Sequence, residues 1–543
     1  VLNLSITNFS NINADDISAL ISITNDDIQI ENSSIEFGQI DSNSNLNQTV
    51  ILNIGSEVLG NIGMNILLSG SFEENNQTIN FNEDYDLSFE VTLNQSGFPY
   101  ITLNEIRTSP IVVDLDLDGQ NEIIFGDHFG SIHVLNSEGE KVFENIFPFD
   151  TGGQIWGSPA VADIDNDGYE DIVVSSKSKH LYILDKNGLK LDYYADTQLI
   201  GTPSIGNFDS DDELEIAFAG YSSNRDNLFI INPDGSDVFD LSITDKNRNG
   251  FAIADFNNNS IDDIVFGTDS DKLYLIYDNG QIADGFPFLA EDKFRKSPLI
   301  IDYFNDKIII AVSEDRRLHA IGGDGSVIFD VVFDVDISTS PSILNNGNSV
   351  SIYVGLENGD IKCIDMNGNI IQNSSFNIGS GIVQEITFSD LDLNGVVDLA
   401  ILSDGGGVYI YNIDGELYQN FPIINEFPIT SSLTMFDIDN DNDLELLVGS
   451  ANSLLNFDVK SNGSVENYWS IYKGNNKRSS YFILECVSMD VTNDGIINVL
   501  DIISIVNFII SNTSVNECSA DTNDDGIINV VDIVAIINMI LND

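Results

Sequence analysis

Short runs in which apolar and polar residues alternate recur along the first 96 residues. "ISALISIT", "QTVILNIG" and "DLSFEVTL" show this alternation, and Asn- and Ser-rich stretches separate them. A period of two places one set of side chains in a core and the other in water. The pattern predicts an antiparallel β-sandwich over residues 1–96.

A longer pattern repeats between residues 97 and 482. Each unit has "SP", a short apolar run, an acidic loop of the form DxDxDG, and apolar strand patterns such as "LYILDKNG". The acidic loops begin at Asp114, Asp163, Asn207, Asp255, Asp390 and Asp437, and eroded units lie around Asp302 and Asn345. Eight four-stranded units predict a mostly β protein with an eight-bladed β-propeller, and seven blades plus an irregular unit is the alternative.

The two ends of this region are expected to meet. "GFPYITL", which begins at Gly97, resembles the fourth-strand segments "GFPFLAE" and "FPIINE" of later units. It precedes the first complete unit, so we predict that it completes the last blade and removes an exposed sheet edge.

The acidic loops predict cation sites. In "DIDNDGYED", Asp163, Asp165 and Asp167 alternate along a tight loop, Gly168 permits the turn, and Asp171 closes the shell. Oxygen ligands of this number suit Ca²⁺ better than Mg²⁺. The alternative is an Asx-type turn in which Asp and Asn cap their own backbone. Recurrence in phase with the strand repeat favours the cation.

The candidate ligands follow one scheme in all six loops, and we expect no metal in the two eroded units. They are Asp114, Asp116, Asp118 and Glu122; Asp163, Asp165, Asp167 and Asp171; Asn207, Asp209, Asp211 and Glu215; Asp255, Asn257, Asn259 and Asp263; Asp390, Asp392, Asn394 and Asp398; and Asp437, Asp439, Asp441 and Glu445.

Residues 483–543 contain two copies of a second unit, "DVTNDGIINVLD" and "DTNDDGIINVVD", each followed by an apolar helix pattern. The oxygen-bearing positions match an EF-hand calcium loop that closes with Asp instead of Glu. The candidate ligands are Asp490, Thr492, Asp494, the Ile496 carbonyl, Asn498 and Asp501, and Asp521, Asn523, Asp525, the Ile527 carbonyl, Asn529 and Asp532. The pattern predicts a small all-α calcium-binding domain and, with the propeller loops, about six to eight Ca²⁺ sites.

These motifs carry three family resemblances. The repeat resembles FG-GAP/VCBS units of integrin-type calcium propellers, and the paired loops resemble a type I dockerin. Residues 1–96 resemble immunoglobulin-like modules of secreted bacterial proteins. The dockerin resemblance implies a protein partner, either cohesin-like or a second copy of this chain, that contacts the tenth and eleventh loop positions. These positions are occupied by Val499, Leu500, Val530 and Val531.

The net charge and the cysteines indicate which partners and which cellular location to expect. The 87 acidic residues outnumber 21 basic ones, and a net charge of −66 disfavours nucleic acid and anionic membranes as partners. No apolar run approaches the roughly 20 residues that would insert in a bilayer. Cys486 and Cys518 precede the two C-terminal loops, which predicts a disulfide and an extracellular or cell-surface location. The resemblance to modules of secreted bacterial proteins implies a bacterial source.

The chemistry-bearing residues predict no enzyme. The chain has four histidines, no HExxH motif, and acid pairs that the metal spacing explains. We therefore predict a non-catalytic adhesion or scaffold protein, or the C-terminal region of a larger extracellular protein such as a secreted peptidase, with a glycan as a further propeller ligand. The alternative is a carbohydrate-active enzyme of the polysaccharide lyase type, for which Arg316, Arg317 and His319, or Lys293–Lys296, would supply cations.

Overall fold

The computed structural model describes residues 1–55, 58–211, 213–222, 224–239, 241–303, 306–345, 350–484, 489–492, 496–511, 517–523 and 527–542. The chain forms two compact units, Val1–Leu93 and Asn94–Asp543.

The first unit is built from antiparallel strands. Its strands are β1 (Leu2–Asn8), β2 (Ala14–Ile23), β3 (Ile28–Ile30), β4 (Ser34–Ile40), β5 (Ser44–Val50), β6 (Leu52–Ile54), β7 (Gly60–Glu74) and β8 (Gln77–Val91). They form a four-stranded sheet in the order β4-β2-β7-β8 and the pairs β1-β5 and β3-β6. Every second residue of β2, including Ile17 and Ile21, is buried with Ile40, Val50 and Met64, as the alternation predicts.

As far as the second unit is described, eight sheets follow one another along its chain, and we number them 1 to 8. Sheets 1 to 4 comprise β10 (Ile111–Val113), β11 (Glu122–Gly126), β12 (Ser131–Leu135) and β13 (Phe149–Asp150); β14 (Ala160–Ala162), β15 (Asp171–Ser176), β16 (His180–Asp185) and β17 (Gly188–Tyr194); β18 (Ser204–Gly206), β19 (Glu215–Ala219) and β20 (Leu228–Ile231); and β21 (Ala252–Ala254), β22 (Asp263–Gly267), β23 (Lys272–Ile276) and β24 (Phe288–Leu289).

Sheets 5 to 8 continue the series. They comprise β25 (Leu299–Tyr303), β26 (Asp306–Ser313), β27 (Arg317–Gly322), β28 (Val327–Val332) and β40 (Tyr481–Leu484); β29 (Ser342–Asn345), β30 (Val350–Gly355), β31 (Asp360–Asp365) and β32 (Phe376–Asn377); β33 (Ile382–Ser389), β34 (Asp398–Ser403), β35 (Gly407–Asn412) and β36 (Ile423–Ile424); and β37 (Thr434–Phe436), β38 (Asp443–Gly449) and β39 (Ser453–Asn462) with β9 (Tyr100–Ile101).

Continuous apolar runs place the second strand of each sheet between neighbouring sheets. β11, β15 and β22 are buried along their whole length, because both of their faces pack against other sheets. A mostly β, propeller-like fold is therefore confirmed.

The prediction that the two ends of the repeat region meet is also confirmed. β9 pairs antiparallel with β39, with Tyr100 opposite Leu454 and Ile101 opposite Ser453. Phe98, just before β9, packs in one cluster with residues of sheets 8 and 1. The first residues of the unit thus complete its last sheet.

Residues 469–484, which we call the axial segment, bond to the first strands of several sheets. The backbone N–H groups of Val161, Ile205, Ile253 and Ile300 donate to the carbonyls of Asn476, Lys477, Ser479 and Ser480 at 2.8–2.9 Å, and those of Phe388 and Met435 donate to Trp469 and Ser470 at 2.9 and 3.0 Å. The segment ends in β40, the parallel partner of β25.

The C-terminal part is helical. Its helices are α1 (Val499–Ser511), α2 (Glu517–Ala520) and α3 (Val530–Asn542). Val491, Ile505, Ala520 and Ile536 form its core. Crossing a bilayer takes a longer apolar helix than any that the described residues form.

Candidate metal centres

The acidic loops join the first and second strands of their sheets, and the first acid of each loop shapes the backbone. Asp114 accepts the N–H groups of Asp118 and Gly119 at 3.0 and 2.8 Å. The first acids of the loops that begin at Asp163, Asp255, Asp390 and Asp437 make the same two bonds. The Asx-type capping that the sequence offered as an alternative therefore occurs, and the first acid of each of these five loops makes it.

The closing acid of each loop is buried and begins the second strand, except that Glu445 is the third residue of β38. One oxygen of Glu122 accepts the N–H of Leu115 at 2.8 Å, and one oxygen of Asp398 accepts that of Leu391 at 2.9 Å. The closing acids Asp171, Glu215, Asp263 and Glu445 accept the equivalent N–H. This bond leaves the second carboxylate oxygen to face the loop.

Five loops bring carboxylates together, with oxygens within 4.8 Å of one another in the described residues. These clusters are Asp114, Asp116 and Glu122; Asp163, Asp165 and Asp171; Asp209, Asp211 and Glu215; Asp390, Asp392 and Asp398; and Asp439, Asp441, Asp443 and Glu445. Asp443 was not among the predicted ligands. Asp118, Asp167 and Asp437 lie in their loops but outside these clusters, and the amide ligands Asn207 and Asn394 lie beside theirs.

Buried oxygens without a hydrogen-bond donor test whether a cation fits. Among the described residues they include Asp116 Oδ1, Asn207 Oδ1, Glu215 Oε1, Asp439 Oδ1, Asp443 Oδ1 and Glu445 Oε1. Burying a polar atom without a partner is costly, and a hard cation with oxygen ligands supplies that partner. The loops of sheets 1, 3 and 8 therefore fit Ca²⁺ on their own geometry.

Burial also perturbs the closing acids. Together with the neighbouring aspartates, it raises the pKa of Glu122 and of Glu215 to about 7 and that of Glu445 to about 8. Burial likewise raises the pKa of Asp398 to about 7. A bound cation would stabilise the ionised forms.

A lysine of β17 contacts the acidic loop of sheet 2. Lys190 Nζ lies 2.6 Å from Asp165 Oδ2, 3.0 Å from Asp171 Oδ1 and 3.2 Å from Asp167 Oδ2. Its ammonium group neutralises the oxygens that a metal ion would use.

In the loop of sheet 4, side-chain and backbone amide groups donate hydrogen bonds to the carboxylates. Asn257 and Asn259 donate to Asp278 Oδ1 at 3.0 and 3.1 Å, and Asp263 Oδ1 accepts the N–H of Asp278 at 2.9 Å. Asp255 and Asp263 are not brought into an acidic cluster of the described residues. This geometry does not fit a metal ion as the other loops do.

The eroded unit of sheet 5 pairs its acid directly with other side chains. Asp302 Oδ2 lies 3.4 Å from Lys307 Nζ and accepts the Tyr481 hydroxyl at 2.9 Å. Asn345 ends β29, and the residues that follow it lie outside the described ranges.

The two C-terminal loops close in the same way. Asp501 accepts the N–H groups of Thr492 and Asn498 at 2.8 and 2.7 Å, and Asp532 accepts those of Thr522 and Asn529 at 2.9 and 2.8 Å. The Asn498 and Asn529 amides donate to the carbonyls of Ile496 and Ile527. Asp490 is buried, and Asp521 and Asn523 belong to the second loop.

Three of the predicted residues fall outside what the structure describes. Asp494, Asp525 and Cys486 lie in the gaps, and the side chain of Cys518 is not described. The predicted Cys486–Cys518 disulfide therefore stays a prediction. Cys363 is a buried free cysteine in the core of sheet 6, as its strand pattern indicates.

The four predicted partner-binding residues begin the two long helices. Val499 and Leu500 are 59% and 54% exposed, and Val530 and Val531 are 62% and 57% exposed. The two copies thus present the same apolar pair to solvent, as a docking surface requires.

One of the two basic clusters that the lyase alternative would use is held by structural contacts. His319 is buried between Asp330 and Ser313, at 2.8 Å from each. Arg316 and Arg317 pair with Asp336 and Asp315.

Comparisons with known proteins agree with this architecture. Residues 114–174 match the FG-GAP-like repeat family, and residues 488–541 match the dockerin type I domain family. No curated protein sequence matches the chain. The crystal structure of Saccharomyces cerevisiae Sqt1 is similar at 12% identity and a TM-score of 0.50, covering 68% of this chain and 100% of that one. The crystal structure of BamB from Moraxella catarrhalis has 14% identity and a TM-score of 0.41, covering 65% and 96%.

Proposed function

We propose that this protein is a secreted, non-catalytic adhesion or scaffold protein of a bacterial surface. Residues 483–543 attach it to a cohesin-like protein, and an eight-bladed propeller at 97–482 presents a ligand-binding face. An immunoglobulin-like sandwich spans residues 1–96. The dockerin type I match carries the proposal, because dockerin and FG-GAP modules are non-catalytic and typical of extracellular bacterial proteins.

Calcium has a structural role in this proposal. The acidic clusters of sheets 1, 3, 7 and 8 hold one ion each, with the closing acid as a buried ligand, and the two C-terminal loops hold two more. Buried oxygens without a hydrogen-bond donor support this assignment for sheets 1, 3 and 8, and the carboxylate cluster supports it for sheet 7. The ion neutralises the clustered carboxylates. Because it binds only the folded loop, it stabilises that loop between its two strands.

Titration calorimetry of the full chain against recombinant type I cohesin modules tests the proposed attachment. We expect binding in calcium and none in excess EDTA. The combined substitutions Val499→Asp, Leu500→Asp, Val530→Asp and Val531→Asp should abolish it, because they place charge in an apolar contact.

The matched control is Leu541→Asp, at the far end of α3, where the leucine is 76% exposed. This variant should bind cohesin as the parent does. Equal binding by the fourfold variant would contradict the proposed contact, and binding to a second copy of this chain in place of any cohesin would assign the surface to self-association.

A further inference from the structure

A cavity of about 530 Å³ lies where the first strands of the eight sheets begin. Each described sheet contributes residues from just before its first strand, or from that strand's start, and Tyr472 of the axial segment also lines the cavity. The volume suits a ligand of one or two sugar rings.

Side-chain hydroxyls line this cavity and link successive sheets. Ser158 Oγ accepts the N–H of Ser109 at 2.8 Å. Ser340 Oγ accepts the N–H of Ser297 at 3.1 Å, and Ser432 Oγ accepts that of Glu385 at 3.4 Å. Because each hydroxyl accepts a backbone N–H, its own proton is left to donate to a ligand.

Cations outnumber carboxylates around the cavity wall. Arg248 Nε and Arg295 Nε share one carboxylate, that of Asp269, at 3.3 and 2.8 Å. Lys296 Nζ donates to the carbonyl of Ser338 at 2.6 Å. Arg295 Nη1 also lies 3.8 Å from Glu314 Oε2, so the two guanidinium groups meet two carboxylates, and the Lys296 ammonium group, bonded to a carbonyl, adds the remaining positive charge.

On the opposite side of the cavity wall, basic side chains pack against an aromatic ring. Arg107 Cζ lies 4.8 Å from the centre of the Trp156 ring, and Lys177 Nζ lies 4.4 Å from it. Glu105 pairs with Arg107 at 2.8 Å, and Lys177 donates to Gln154.

A further cation lies behind Tyr472. Arg478 is fully buried, its guanidinium lies 5.5 Å from the Tyr472 ring, and it donates to the carbonyls of Pro159, Ser109 and Tyr472. Glu385 is the nearby acid, and its carboxylate accepts from Trp469 Nε1 and from the N–H of Lys473. Lys473 is fully buried as well, so two basic side chains face this one acid beneath the cavity.

This concentration of cations contrasts with the whole chain, which has 21 basic residues and a net charge of −66. The outer surface repels anions, whereas an open, recessed cavity with positive walls focuses an attractive field. Arginine and lysine with hydroxyl donors recognise carboxylates that also carry hydroxyl groups.

We propose that this cavity, where the first strands of the eight sheets begin, binds the terminal sugar residue of an acidic glycan. Its carboxylate contacts Arg248, Arg295 and Lys296, and its ring hydroxyls meet the Ser and Thr side chains of the wall. Because the axial segment contributes to the cavity at its Tyr472 side, a chain end fits this site better than the middle of a passing polymer. This binding uses no residue of 483–543, so it stands or fails separately from attachment to a cohesin-like protein.

D-Glucuronate and D-glucose are matched probes for the calcium-saturated full chain. The chain has two tryptophans; Trp156 lines the cavity and Trp469 is buried. Glucuronate should change the tryptophan emission and release heat in calorimetry, whereas glucose should do neither. Trp156→Phe should remove most of the fluorescence response.

The variants Arg248→Gln and Lys296→Met should each weaken glucuronate binding about tenfold, which corresponds to about 1.4 kcal/mol. Arg225→Gln is the matched control, because it removes the same charge from an exposed pair with Asp196 outside the cavity; its affinity should be unchanged. Melting curves of all three verify folding.

Three results would overturn the proposal. They are no glucuronate binding at millimolar concentration, an equal response to glucose, and equal weakening by Arg225→Gln. Binding of a triglutamate peptide in preference to glucuronate would also overturn it, because the site would then recognise acidic peptides.

Discussion

Each closing acid divides its two carboxylate oxygens between two tasks. Glu215 and Glu445 each give one oxygen to a backbone N–H of their own loop, and their other oxygen is buried without a donor. The same residue therefore folds the loop and completes the proposed ion site. An amide at this position would keep the size but lose the charge that a cation needs.

The buried closing acids predict how stability depends on pH in excess EDTA. Their folded-state pKa values, about 7 for Glu122 and Glu215 and about 8 for Glu445, exceed the value near 4.5 of an unfolded chain. Between these values the folded chain holds protons that the unfolded chain has lost. The melting temperature should therefore fall as pH rises from about 5 to 8.

Calorimetric melting at pH 5, 6.5 and 8 measures this effect. Calcium should reverse the trend, because it binds the ionised carboxylates of the folded state. Glu445→Gln should flatten the slope in EDTA. A melting temperature that rises with pH in EDTA would contradict the assignment of these acids.

Lys190 predicts that the loop of sheet 2 binds calcium more weakly than its relatives. Its ammonium group contacts the same oxygens as the ion would, so the two compete. Lys190→Met should add one tight calcium ion per chain, counted by native mass spectrometry and calorimetry.

Lys362→Met is the control for this experiment, since Lys362 is as exposed as Lys190 and pairs with Asp360 of sheet 6, outside the acidic loops. The calcium count of this variant should match that of the parent. An unchanged count for Lys190→Met would show that lysine does not exclude the ion.

At the scale of elements, the short strand β9 joins the beginning of the second unit to the last of its eight sheets. Phe98 is 8% exposed and packs with Ile438, Leu447 and Leu454 of sheet 8 and with Val112 and Phe125 of sheet 1. The contact between the last and first sheets thus depends on a residue that precedes both in the chain.

Phe98→Ala should lower the stability of the second unit by about 3 kcal/mol, because it opens a cavity between two sheets. Chemical denaturation followed by near-ultraviolet circular dichroism measures this loss. Phe129→Ala, at a position 76% exposed, should change stability by less than about 0.5 kcal/mol. Equal effects of the two variants would argue against closure through Phe98.

Periodicity predicted the strands and the loops well because each repeat has its own local signal. Asp443 was missed because the loop template assigns no ligand to its position. Lys190 could not be foreseen, since it lies on a different strand from the acids that it contacts. The axial segment, "WSIYKGNNKRSSYFIL", has no alternation, and its partners are backbone N–H groups of distant sheets that no motif marks.

At the scale of the whole molecule, the axial segment links sheets that are far apart in sequence. Its carbonyls accept N–H groups from sheets 2, 3, 4, 5, 7 and 8. Arg478 fixes it in turn through the carbonyls of Pro159 and Tyr472. First strands of only three residues, such as β14 and β18, donate backbone hydrogen bonds to the axial segment in addition to those within their own sheets.

Arg478→Met should loosen several sheets together. Without the guanidinium group, the carbonyls it satisfies lose their donors, at about 1–3 kcal/mol for each group left buried. Hydrogen exchange should accelerate at the amides of Val161, Ile205 and Ile253 at once. Arg225→Met, which removes an exposed arginine, should leave these amides unchanged, and acceleration confined to one sheet would contradict the linking role.

The path by which the chain leaves the eight sheets has a mechanical consequence. β40 runs parallel to β25 from Tyr481 to Leu484, so tension on the residues beyond Leu484 pulls lengthwise along that ladder. The hydrogen bonds of the ladder then share the force instead of opening one by one. The residues before β40 pass the same force to the inner strands of other sheets. A pull from the C-terminal side therefore strains the centre of the fold before its rim, and resistance to rupture depends on how slowly the whole unit unfolds.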